Sequence, residues 1–71
     1  MRGRLFALVN PKDEDDVIGW GIEITKPDER EAVVFFREPD TRQISFGIHE
    51  SAHDALRCWN KVEPMALVWA S

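Results

Sequence analysis

Four apolar residues in a row, Val33-Val34-Phe35-Phe36, impose the strictest condition on what this chain can fold into. The run is too short for a buried helix, and β-branched and aromatic residues suit a pleated strand. Successive side chains of a strand go to opposite faces, so these four require apolar cover on both sides, as in a central strand. A chain of 71 residues has little left with which to build two covers.

The surrounding sequence supplies strands and one helix. Leu5 to Val9 reads as a first strand. Asn10-Pro11 ends it, and Lys12-Asp13-Glu14-Asp15-Asp16 follows as a solvated acidic loop, because Pro11 lacks a ladder donor and four acids favour water. From Val17 to Thr25, Ile18, Trp20, Ile22 and Ile24 alternate with Gly19, Gly21, Glu23 and Thr25, a period of two that predicts a strand. Two glycines flanking Trp20 predict a bulge or the close approach of another backbone. Lys26-Pro27-Asp28-Glu29 is a turn, Glu31 to Arg37 the central strand, and Glu38-Pro39-Asp40-Thr41 a β-turn. Arg42 to Ile48 is a strand with one apolar face, that of Ile44, Phe46 and Ile48.

The period then lengthens. Ala52, Ala55, Leu56, Trp59 and Val62 fall on one stripe of a helix predicted over Ser51 to Val62, and Ser51 with Asp54 forms an S-x-x-D capping box at its start. Pro64 closes it, and Met65 to Ala70 reads as a fifth, largely buried strand. The expected fold is therefore α+β: residues 1–71 form a single small globular domain, a mostly antiparallel sheet in the order β-β-β-β-α-β with one helix packed on one face.

Composition narrows the function classes. No run approaches the roughly 18 apolar residues of a membrane span, so no membrane partner is expected, and the apolar run behind Arg2 and Arg4 lacks the pattern of a signal peptide. The single cysteine, Cys58, closes no intramolecular disulfide, which agrees with a reducing, cytoplasmic setting. A net charge of −4 repels a phosphate backbone, so nucleic acid is a disfavoured partner. Trp20, Trp59, Trp69, Phe35, Phe36 and Phe46 offer stacking surface, but a single-stranded nucleic-acid binder would also need Arg2, Arg4, Arg37 and Arg42 to converge in a basic groove. The four glycines form no phosphate loop, Cys58 has no histidine downstream of it, and no cofactor is expected.

One motif carries chemistry. His49-Glu50-Ser51-Ala52-His53 spells H-E-x-x-H and so resembles the zinc metallopeptidase signature, in which two histidines one helical turn apart bind zinc and the glutamate activates a metal-bound water. That resemblance implies a metal-dependent hydrolase using His49, Glu50 and His53. The capping box opposes it: with Ser51 as N-cap, His49 lies before the helix and the two rings do not share a face. The sequence accordingly predicts no metal site and no catalytic residue. The acids of residues 13–16 lack the ligand spacing of a calcium loop.

The excess of apolar surface over cover points elsewhere. One short helix shields one sheet face, and Val33, Val34, Phe35, Phe36, Ala66 and Val68 then become candidate interface residues for a homodimer or for docking on another protein. The expected function is that of a small non-catalytic binding or regulatory module working through protein–protein contact.

Overall fold

A computed structural model of the chain describes residues 2–37 and 44–70. Among these residues are five strands, β1 (Arg2–Asn10), β2 (Asp13–Thr25), β3 (Arg30–Arg37), β4 (Ile44–His49) and β5 (Ala66–Trp69), and one helix, α1 (Ala52–Trp59). They form one sheet in the order β4-β3-β2-β1-β5, every neighbouring pair antiparallel. The first four strands are a meander, and α1 carries the chain across the sheet so that β5 pairs with β1 at the far edge. The turn expected at Glu38-Pro39-Asp40-Thr41, together with Arg42, lies outside the described residues.

Several boundaries differ from expectation: β1 already starts at Arg2, three residues before Leu5, and β5 is trimmed to Ala66–Trp69. The acidic segment is not a loop: Asp13 to Asp16 open β2, and Asn10 pairs with Asp13 across a two-residue turn of Pro11 and Lys12. Asn10 makes this possible, because its side-chain oxygen accepts from the Lys12 amide at 3.0 Å and its side-chain nitrogen donates to Asp16 at 3.3 Å. The ladder slips twice between Leu8 and Asn10, which absorbs the extra residues of β2 in bulges. The helix is also shorter than its stripe. It ends at Trp59, the Asn60 amide capping on the Leu56 carbonyl and the Asn60 side chain accepting from the Met65 amide at 2.9 Å, so Val62 leaves the helical face and is exposed.

The core lies between α1 and one face of the sheet. Phe6, Leu8, Ala32, Val34, Ala52, Ala55 and Met65 are buried there, with Ile18, Phe36, Leu56, Trp59, Leu67 and Trp69 packed around them. β2 offers this face Gly19, Gly21 and Glu23, the cross-strand neighbours of Leu8, Phe6 and Arg4. The aromatic rings explain the glycines. A side chain at Gly19 would stand 2.7 Å from the Phe36 ring, and one at Gly21 would stand 2.9 Å from the Phe6 ring and overlap the Val33 carbonyl. Ile18 reaches the core, but Trp20, Ile22 and Ile24 face the other way, onto a side that carries no helix among the described residues.

Candidate functional site

Two regions bear on function, the end of β4 with the start of α1, and the sheet face opposite the helix. At the first, Ser51 is the N-cap: its backbone is extended, and its hydroxyl accepts from the Asp54 amide at 3.0 Å. His49 therefore closes β4 as the neighbour of Ala32, whereas His53 belongs to the first turn of α1, exposed, with its ring 6.0 Å from that of Trp69. Glu50 is exposed between the two elements. The two histidines of the H-E-x-x-H run sit on different elements with different neighbours, and the geometry that lets a helix grip zinc with both is not built here.

His49 instead joins a group that the sequence did not suggest. Its ring lies among Asp54, Cys58 and Trp59, and one nitrogen of His49, one oxygen of Asp54 and the Cys58 sulfur all fall within 4.8 Å of one another. Asp54 and Cys58 share a helix face through their four-residue spacing, a signal present in the sequence. What brings His49 to them is the β3–β4 register, which is not.

The hydrogen bonds fix what this group does. Trp59 Nε1 donates to His49 Nε2 at 3.1 Å, so Nε2 is the acceptor and the neutral ring carries its proton on Nδ1, 3.6 Å from an Asp54 carboxylate oxygen. Nδ1 then has no lone pair for a metal, and Nε2, occupied by the indole, has none to accept a proton from the Cys58 thiol. Arg57 also pairs with Asp54. Its hydrogen bond is the main reason the Asp54 carboxyl sits below the ordinary carboxylate range, with the Glu50 backbone amide and His49 acting in the same direction. The cluster is a clasp between β4 and α1, in which Trp59 also packs on Phe36 with ring centroids 4.4 Å apart.

The second region is the open face. Two rows cross it: Leu5, Ile22, Val33 and Ile48, and beside them Ala7, Trp20, Phe35 and Phe46. Leu5, Trp20, Phe35, Phe46 and Ile48 are between 39% and 65% exposed. Of the residues expected at an interface, Val33 and Phe35 lie in these rows, and the β5 register puts Ala66 and Val68 on the same side, partly buried. Val34 and Phe36 are on the helix side, Val34 fully buried and Phe36 against Trp59. Leu5, Trp20, Phe46 and Ile48 are the interface candidates that strand periodicity alone left out, because it does not say which face receives the helix.

Among the described residues, the arginines expected in a basic groove do not share one end of the sheet. Arg2 and Arg4 lie at one end of the sheet, on the helix-bearing side, while Arg37 ends β3 at the opposite end, and Arg42 is outside the described residues. Arg2 and Arg4 thus occupy the face opposite Trp20, Phe35 and Phe46. Among the described residues no helix is long and apolar enough to cross a membrane. No protein-family model, curated protein or solved structure matches the chain.

Proposed function

We propose that the protein is a non-catalytic binding module acting through protein–protein contact, and that its open sheet face packs against the same face of a second copy. The observation that carries this reading is the pair of adjacent apolar rows containing Leu5, Trp20, Phe35, Phe46 and Ile48. An antiparallel sheet that meets water on one side alternates apolar and polar residues; here both sides are apolar, and the exposed side is continuous across four strands.

The absence of charge in the two rows leaves this face open to a second copy. Chains of net charge −4 repel one another, and these two rows, which carry no charged residue, let them meet where the cost is least. Two twisted sheets stack at about −30° and about 10 Å apart, and a two-fold axis through the rows would set aromatic against aliphatic side chains. Self-association also supplies stability that a core of this size lacks. The exposed, unpaired thiol of Cys58 suits a reducing, cytoplasmic setting.

Sedimentation equilibrium at micromolar concentration tests the reading. The wild-type chain is expected at twice its 8.2 kDa mass, and Phe35→Glu and Phe46→Glu at 8.2 kDa with the helical circular-dichroism signal retained. A wild-type chain that stays at 8.2 kDa throughout overturns self-association through this face.

A further inference from the structure

Basic side chains gather on the helix-bearing face at the end of the sheet, one row beyond the strand position where β4 hands over to α1. Arg2 and Arg30 are the two cross-strand neighbours of Thr25, and Arg4 neighbours Glu23 in the next row. With Trp69 they line a cleft of about 530 Å³, within the range of small-ligand sites.

Two of the three guanidiniums are held in place. Glu23, only 8% exposed, engages Arg30 Nε at 3.2 Å and leaves both terminal nitrogens of that fork to donate. Arg4 lies 4.0 Å over the Trp69 ring, which is itself set against Phe6 with centroids 5.8 Å apart, and stacking leaves the in-plane donors of Arg4 unused. Burying a carboxylate is costly, and an arginine 59% exposed offsets that cost weakly, so stability alone is a poor reason for Glu23. Orienting Arg30 is a better one. One acid against three arginines also makes this cleft positive within a chain of net charge −4.

From this geometry we infer that the cleft is an anion site for a small organic phosphate, the phosphate seated between Arg2 and Arg30 over the Thr25 hydroxyl and the organic part directed toward Trp69. Strand spacing sets the two arginines about 10 Å apart at the backbone, a gap that two long side chains close on one tetrahedral group. Phosphate, with its three equivalent oxygens and double charge, matches paired forks better than a monocarboxylate does. The site lies on the opposite face from the proposed dimer contact and does not depend on it.

Amide-detected NMR titration of the full chain at constant ionic strength tests the inference, with inorganic phosphate and glycerol 3-phosphate as probes and acetate as the control. Saturable shifts are expected at Arg2, Thr25 and Arg30 with both phosphates, with acetate about tenfold weaker. Arg30→Lys keeps the charge but loses the fork, and should weaken phosphate about fivefold while preserving a dispersed, folded spectrum. Lys61→Ala, which removes a cation outside the cleft, should leave phosphate binding unchanged. Acetate binding as well as phosphate, Arg30→Lys binding as well as wild type, or shifts that never saturate would each overturn it.

Discussion

A side chain at Gly21 would meet both the Phe6 ring and the Val33 carbonyl, and neither can retreat: Phe6 is in the core and the carbonyl belongs to an internal strand. Gly21→Ala should therefore lower stability by about 1–3 kcal/mol, the range for overpacking, measured as a fall in the urea midpoint. Trp59 is the other residue on which much depends, since it packs on Phe36 and donates to His49. Trp59→Ala is expected to cost about 3 kcal/mol or more, and Trp59→Phe, which keeps a ring but loses the donor, about 1 kcal/mol. If both variants cost the same, the bond to His49 rather than the packing is what holds the helix.

Within α1, the cap and the first turn act together. Ser51→Ala should cost about 1 kcal/mol, the usual worth of an N-cap hydroxyl. Asp54 adds a dependence on pH. Its folded carboxyl titrates below the ordinary value of 3.8, so its contribution is present above that value and is lost as pH falls through the lowered one. Asp54→Asn should flatten the acid limb of the stability curve below about pH 4 and leave the neutral region less changed in shape, as read by thermal denaturation across pH. The element types were legible because their periods differ: alternation marked the strand from Val17, and the stripe through Ala52 and Trp59, with its cap, marked the helix. Facing was not. Alternation in β2 distinguishes a glycine side from an isoleucine side without saying which receives the helix, and that choice follows from rings contributed by β1 and β3. The β2 start was missed for a related reason, because Asn10 folds an acidic segment back onto β1 where composition alone suggests a loop. For the candidate site, the Ser51 cap that separates His49 from His53 was readable, while the meeting of His49 with Asp54 and Cys58 needed the strand register.

At the largest scale, the decisive property of the described residues is a sheet with one helix and two apolar faces. That imbalance was readable from Val33 to Phe36, and the strand order adds where it matters: β3 and β2, which carry Phe35 and Trp20, are internal strands, so the exposed rows run through the middle of the sheet. Salt should distinguish the two surfaces. Contact through the uncharged rows is expected to persist or strengthen between low and about 1 M sodium chloride, whereas an association held by ion pairs would weaken, a difference that sedimentation reads directly.

The pairing of Phe6 with Trp69 joins residues 63 positions apart, from the first strand to the last. During synthesis, the meander from β1 to β4 can form from neighbouring segments, but β1 keeps an unpaired edge until β5 has emerged. Phe6 and Leu8 gain their neighbours Trp69 and Leu67 only at that point. A newly made chain therefore passes through a stage in which a bare strand edge adjoins its future core, and β5 is the segment that ends its exposure to other chains.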